Sequence, residues 1–573
     1  MSNQLHISFG QYSDKGRKAL NQDYCSVRVP LGSQRDLKGV AIAMADGISS
    51  SEVSQEASQA VVQSFLEDYY CTSDAWSVPT SIDRVLSAAN SWLYSKNQNS
   101  PYRYDKNRGY VCTLSVLVLK AATAFISHAG DTRLYRLNDD GLEQLSNDHR
   151  KWVSEHESFL SRALGVEPQC EFDTQTLQMN VGDHFILATD GIYEFAEAQH
   201  IIRTIKDHSD NLDGAAKRIA DYAYDKGSDD NLSIQIVRVD ALHEKETSEV
   251  QQLIDTLPFP PLLEPRMTFD GYTILRELYA SSRSHVYAAL DEATQKTVVI
   301  KIPSLDLRED PDYVERFLTE EWIARRINSA NVLKADLQDR ERNYLYTVSE
   351  YIEGQTLTQW MIDNPKPDVE SVRGIIEQVA KGLMAFHRMD MLHQDLKPDN
   401  IMIESSGTVK IIDFGSVWVA GLAEQALADE GNDILGTALF TAPEYFLGES
   451  GTPRSDMFSL GIITYYMLSG RFPYGTKVSS ARTITAQRRL KYQPVLDDDR
   501  EIPAWVDAAI NKAVSISAYR RYEDISEFLY DLRHPNQIYV NKTKPPLLER
   551  NPVAFWQGLS SILVLIIVYL LSR

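Results

Sequence analysis

Four runs of β-branched and aliphatic residues, GVAIAMAD, TLSVLVL, HFILATD and LSIQIVRV, punctuate the first 240 residues. Between them apolar positions recur with helical spacing, as in SQEASQAVVQSFLEDYY, where Ala57, Ala60, Val61 and Phe65 share one side. This alternation over residues 6–240 predicts an α+β or layered sandwich fold. Residues 241–268 are first charged and then proline-rich and read as a linker. From 269 to 534 strand-like runs come first and longer helical patterns follow, which predicts a second α+β domain. A basic, proline-bearing stretch, 535–552, leads into VAFWQGLSSILVLIIVYLL, 553–571, which is apolar apart from Gln557, Ser560 and Ser561. As a helix this last run would extend roughly 28 Å, so it is expected to span a bilayer. Lys542, Lys544 and Arg550 precede it and only Arg573 follows, so the bulk of the chain is expected on the cytoplasmic side of the cell membrane, held by a C-terminal anchor. No internal repeat is visible.

Length and composition narrow the function. At 573 residues the chain exceeds one core, and 43% hydrophobic with 24% charged residues is the composition of folded domains. The formal charge of −22 argues against nucleic acid as a partner. Four scattered cysteines, Cys25, Cys71, Cys112 and Cys170, form no CxxC pair and fit a reducing compartment. No basic region followed by an apolar run opens the chain, so no export signal is expected.

In the second domain, VVIKIP places Lys301 in a β-branched strand and RFLTEEWIARRI places Glu320 in an amphipathic helix; HQDLKPDN, IIDFGS and FTAPEY follow in order. Together these motifs resemble the eukaryotic-like Ser/Thr protein kinase family, whose fold is bilobal. The resemblance implies that Lys301, held by Glu320, binds the ATP phosphates. It makes Asp395 the residue that accepts or orients the substrate hydroxyl proton and Lys397 the one that steadies the transferring phosphate. Asn400 and Asp413 would carry Mg²⁺. Leu278 and Val286 would line the nucleotide site, and Glu350 and Ile352 would supply backbone contacts to adenine. Two departures stand out. LYASSRSHVY has Tyr279, Ser281 and Ser284 where relatives carry the glycines of a phosphate loop. Gln394 stands where most relatives carry an arginine, and residues 417–435 contain no Ser, Thr or Tyr. A loop-independent active kinase is therefore expected; the other reading is a nucleotide-binding scaffold that transfers nothing.

In the first domain the acidic motifs are NQDYC, MADGIS, AGDTRLY, ATDGIYE and SDDNLS, several of which end strand-like runs. Carboxylates at strand ends can converge on hard divalent cations, and oxygen-only ligation suits Mg²⁺ or Mn²⁺. The set resembles the metal-dependent protein phosphatases of the PPM family, which implies an α-β-β-α sandwich and two or three Mg²⁺ or Mn²⁺ ions. By that resemblance Asp46, the Gly47 carbonyl, Asp190 and Asp230 are metal ligands, Asp23 acts through water, and Asp131 serves a third, weaker metal. Arg17 or Lys18 would grip the substrate phosphate. The whole arrangement resembles bacterial fusions of a phosphatase with a kinase. It implies protein substrates bearing Ser/Thr or their phosphorylated forms, with ATP and Mg²⁺ for the kinase.

Overall fold

The central strands of the first domain, at Val40–Asp46, Leu114–Lys120 and Leu232–Ala241, are buried on both faces. The computed structural model describes residues 5–138, 141–152, 158–242, 257–281, 283–307, 310–336, 340, 342–423, 438–495, 502–535 and 552–571. Two units result, one built chiefly from Met1–Thr256 and the other chiefly from Leu257–Arg388, Leu392–Trp418 and Gly431–Arg573.

In the first unit, β1 (His6–Asp14), β2 (Asp23–Arg28), β3 (Val40–Asp46), β4 (Leu114–Lys120), β5 (Thr123–Ala129), β6 (Arg133–Asn138) and β7 (Gly141–Gln144) precede a short ribbon, β8 (Arg150–Trp152) and β9 (Ser158–Leu160). β10 (Asp173–Gln178), β11 (His184–Ala188) and β12 (Leu232–Ala241) complete two five-stranded sheets, ordered β1-β12-β11-β6-β7 and β10-β5-β4-β3-β2. Alternate residues of β3 serve different layers. Val40, Ile42 and Met44 meet Phe185, Leu187, Val237 and Val239 of the opposing sheet. Ala41, Ala43 and Ala45 face outward onto Phe65, Tyr69 and Leu86 of the region spanning α2 (Ser54–Asp68) and α3 (Val78–Gln98). Alanine there lets the helices approach the sheet closely. On the other side Ile201, Ile205, Ala216 and Ile219, from the helices Ala198–Asp207 and Leu212–Asp225, cover Ile186, Ile234 and Ile236. The result is a helix-sheet-sheet-helix sandwich.

The second unit begins with a five-stranded antiparallel sheet in sequence order: β13 (Thr268–Phe269), β14 (Tyr272–Ala280), β15 (Ser284–Asp291), β16 (Thr297–Pro303) and β17 (Thr347–Glu350). The helix Pro311–Arg326 interrupts it after β16 and is capped by the Asp310 side chain. The remainder is largely helical, with Val369–Arg388 and the almost entirely buried Pro453–Ser469 at its centre.

The C-terminal run corrects the sequence reading. Pro552–Leu571 is helical, but among the described residues no helix is long and apolar enough to cross a membrane. Gln557, Ser560 and Ser561 fall at helical i, i+3 and i+4 positions, so their polarity gathers on one side of the first half. Ser561 Oγ donates to the Gln557 carbonyl at 2.8 Å. The expected transmembrane helix, the membrane as a partner and the anchored location at the cell membrane therefore do not stand; two α+β domains do.

Candidate active sites

In the first unit the five acidic motifs meet at one end of the two sheets. Asp23 and Asp46 are direct antiparallel partners on β2 and β3. Asp46 is held at its backbone, its amide donating to Thr113 Oγ1 at 2.9 Å and its carbonyl accepting from the Thr113 amide at 2.8 Å. The next residue, Gly47, donates its amide to the Gln22 carbonyl at 3.1 Å. Asp190 starts a one-turn helix directly after β11, and Asp230 lies two residues before β12. Gly191 makes their proximity possible, because a Cβ there would lie 2.0 Å from the Asn231 carbonyl oxygen. Asp131 follows β5.

These carboxylates repel one another. Burial, then Asp23, Asp190, Asp131 and Asp230 in that order, pushes Asp46 well above the usual carboxylate range. Burial raises Asp23 to about 6, and burial together with Asp131 and Asp230 raises Asp190 to about 7. Thr189 Oγ1 donates to Asp23 Oδ2 at 3.0 Å, while the buried Asp23 Oδ1 has no hydrogen-bond partner. Among the described residues no three His, Cys, Asp or Glu side chains enclose a ready metal site. Two cations of the chain stand among the acids instead. Lys18 Nζ lies 3.2 Å from Asp230 Oδ2, and Arg150 donates to Asp131, Asp190 and Glu194. The orphaned Asp23 oxygen, the crowding of negative charge and the all-oxygen donor set nonetheless fit hard divalent cations.

The structure separates the two candidate phosphate grips. Arg17 turns away: its guanidinium donates to the carbonyls of Ser228 and Tyr224 and stacks 4.2 Å from the Tyr224 ring centroid. Lys18 faces the acids.

In the second unit Lys301 on β16 reaches Glu320, with Nζ 2.8 Å from Oε1 and 2.6 Å from Oε2, and lies 3.8 Å from Asp413 Oδ1. Burial works against the Lys301 charge, but Glu320 and Asp413 outweigh it and hold the ammonium above its usual value. Burial raises Glu320 to about 7, whereas at Asp413 burial is outweighed by Lys301, the Gly415 amide, His393 and Lys397 together, which lower it. Asp395 Oδ2 accepts from Lys397 Nζ at 2.7 Å, and Asn400 Nδ2 donates to the Asp395 carbonyl at 2.9 Å. Phe414 is buried against Phe386, with centroids 5.5 Å apart. Ile352 is buried at the end of β17, and Glu350 pairs with Lys410 at 2.8 Å. Leu278 is exposed beside an irregularity of the β14–β15 hairpin, and Val286 pairs with Tyr279 across it. The glycine-poor turn is closed by a serine: Ser281 Oγ accepts from the amides of Arg283 and Ser284 at 3.2 and 3.1 Å.

The Protein kinase domain family matches residues 272–533, and the Protein phosphatase 2C family matches residues 11–223. The chain joins a protein phosphatase 2C domain to a protein kinase domain. Its kinase domain is similar to a probable serine/threonine-protein kinase of Clostridium acetobutylicum, 29% identical over 272 residues covering 47% of this chain and 40% of that protein. It is also similar to the serine/threonine-protein kinase PrkC of Bacillus subtilis, 28% identical over 270 residues covering 46% and 40%. The chain thus spans two fifths of the length of these relatives. Among solved structures, the serine/threonine phosphatase PstP/Ppp of Mycobacterium tuberculosis aligns with 41% of this chain and 99% of its own, at 20% identity and a TM-score of 0.35. The PknI kinase domain of the same organism aligns with 48% and 100%, at 22% identity and a TM-score of 0.37.

The motifs alone assign no role to several supporting residues. In the kinase domain the buried Asp456 accepts the amides of His393 and Gln394 at 2.9 and 3.0 Å and binds His387 Nε2 at 2.8 Å, so the first turn of the helix Pro453–Ser469 fixes the loop that carries Asp395. Gln394 is thereby held at a φ of 63°. Arg521, fully buried, grips Glu444 through two 2.7 Å contacts. In the phosphatase domain Asn231 accepts the Gln22 amide at 2.8 Å and donates to the carbonyls of Lys15 and Leu20 at 2.9 Å, pinning the loop that carries Lys18. Thr437 and most of residues 417–435 lie outside the described residues.

Proposed function

We propose that the chain transfers the γ-phosphoryl group of ATP to Ser/Thr hydroxyls of proteins at one site and hydrolyses Ser/Thr phosphates of proteins at the other. The observation that carries the transfer half is the Lys301–Glu320 pair set beside Asp413, because phosphoryl transfer depends on positioned charge rather than covalent help. Lys301, kept charged and pointed by Glu320, binds nucleotide phosphate oxygens. Asp395, oriented by Lys397 and by Asn400 at its own carbonyl, receives the substrate hydroxyl proton. Asn400 and Asp413 would hold Mg²⁺, with Leu278, Val286, Glu350 and Ile352 around the nucleotide. The placement of Lys301, Asp395, Asn400 and Asp413 favours transfer over a scaffold that only binds nucleotide.

Protein phosphatase 2C domains depend on Mg²⁺ or Mn²⁺, and protein kinase domains on ATP with Mg²⁺. In the phosphatase domain Asp46, the Gly47 carbonyl, Asp190 and Asp230 would hold the divalent ions, with Asp23 acting through water. Such ions lower the proton affinity of water and neutralise phosphoryl charge. Lys18 supplies a point charge for a phosphate oxygen, without the two-pronged geometry of arginine. The test is incubation of the full chain with labelled ATP and a generic basic protein, beside Mn²⁺-dependent hydrolysis of an aryl phosphate. Label transfer that falls by about 10²-fold or more in Lys301→Ala supports the reading; transfer left near its original rate, or hydrolysis that ignores Mn²⁺, contradicts it.

A further inference from the structure

Arg150 is the one cation that touches three of the acids around the phosphatase centre among the described residues. It opens β8, and its place is set by its neighbour: the His149 amide donates to the Gly130 carbonyl at 2.7 Å, and the Ser161 amide donates to the His149 carbonyl at 2.7 Å. Its side chain is 18% exposed. Each guanidinium nitrogen serves a different carboxylate: Nε donates to Asp131 Oδ2, Nη2 to Asp190 Oδ2 at 2.5 Å, and Nη1 to Glu194 Oε1 at 2.8 Å. The same corner is fixed independently. The Tyr193 hydroxyl donates to the Asp131 carbonyl at 3.0 Å, and Arg133, itself paired with Asp148 at 2.7 Å, lies 3.9 Å from the Tyr193 ring centroid.

A part-buried arginine whose three nitrogens are all used is hard to displace, because removing it would leave the buried Asp131 and the part-buried Asp190 without their cation. A divalent ion seated on Asp131 would lie against that fixed positive charge and compete for the oxygen it already holds. On the reading that this domain is a divalent-metal phosphatase, we propose that Arg150 is a positioning residue that takes the place of a metal at Asp131. The centre then holds two ions, on Asp46, Gly47, Asp230 and Oδ1 of Asp190, the oxygen Arg150 does not contact, while the guanidinium neutralises the third position. Asp131 serves as the seat of an arginine rather than of an ion.

The full chain, without nucleotide and carrying Asp413→Asn to silence the kinase ligand, is titrated with Mn²⁺, and free Mn²⁺ is counted by its electron paramagnetic resonance signal. Two bound ions are expected. Adding Asp131→Asn leaves two, and adding Arg150→Ala yields a third. Three ions before either change, falling to two with Asp131→Asn, would overturn the proposal, as would a folded Arg150→Ala protein that still binds two. If Arg150→Ala fails to fold by circular dichroism, the Asp131→Asn comparison decides alone. No Mn²⁺ bound at all would overturn the metal-phosphatase reading itself, a result distinct from a count of three.

Discussion

Lys301 Nζ lies 2.6 Å from Glu320 Oε2, which joins a strand of the kinase sheet to the helix Pro311–Arg326 through a buried ion pair. On the proposed kinase reading, the charge that binds nucleotide phosphate is thus set by whether that helix is in place, and removing Lys301 takes away an electrostatic contact to the transferring group. Lys301→Ala is expected to lower label transfer by about 10²–10³-fold with aryl phosphate hydrolysis unchanged. Steady-state rates of both reactions on one preparation check this.

Gly415 borders the same pair. A Cβ there would fall 2.5 Å from Glu320 Oε1, so in Gly415→Ala the Glu320 carboxylate must shift from its place beside Lys301. Displacement on that scale is expected to cost kinase turnover about 10²-fold. The melting temperature of the kinase domain should shift little, and the rate measured beside a thermal melt separates the two effects.

Arg521 and Glu444 form a fully desolvated pair, which Ser455 Oγ also contacts at 2.7 Å. Arg521→Ala leaves a buried carboxylate uncompensated, and a loss of about 3–5 kcal/mol in kinase-domain stability is expected. Urea unfolding of the full chain with and without Arg521→Ala, followed by tryptophan fluorescence and by loss of label transfer, measures it; a loss under about 1 kcal/mol would contradict the structural role.

His128 gives the phosphatase domain an acid-sensitive core. Its Nε2 donates to the carbonyls of Gly130 and Asn147 at 3.0 and 3.1 Å, and its Nδ1 accepts from the Ser115 hydroxyl at 2.8 Å. Burial first, and the neighbouring His149 next, lower it to about 4 from an ordinary value of 6.5. Between those values the unfolded chain binds the extra proton and the folded chain does not. Stability from this group is therefore complete above about pH 6.5 and falls as pH drops toward 4. At pH 5 the loss is expected to be about 2 kcal/mol relative to pH 7.5. Subtracting the same measurement on His128→Asn isolates it from the acids, whose raised values act with the opposite sign.

The sandwich and the bilobal pattern were legible because strand ends and motif order are local signals: Asp46 and Asp190 close apolar runs, and Lys301 sits inside one. Arg150 and Asp456 were not legible. Arg150 comes from a three-residue strand with no pattern of its own, and Asp456 lies in the first turn of its helix beside other polar residues, Arg454 and Ser455; their partners lie 19 to 69 residues away in sequence. The choice between Arg17 and Lys18 could not be read from sequence either, since adjacent residues on a loop diverge according to what Tyr224 and Ser228 offer. The C-terminal run misled for a related reason: counting apolar residues ignores how Gln557, Ser560 and Ser561 gather on one side of a helix.

Two separate active sites in one chain is the central claim, and paired substitutions test it most directly. Asp413→Ala and Asp190→Ala are made in the full chain, and each protein is assayed for label transfer from ATP and for Mn²⁺-dependent hydrolysis of an aryl phosphate. The account predicts that Asp413→Ala abolishes transfer and leaves hydrolysis intact, while Asp190→Ala abolishes hydrolysis and leaves transfer intact. Loss of both activities from either folded variant would contradict it.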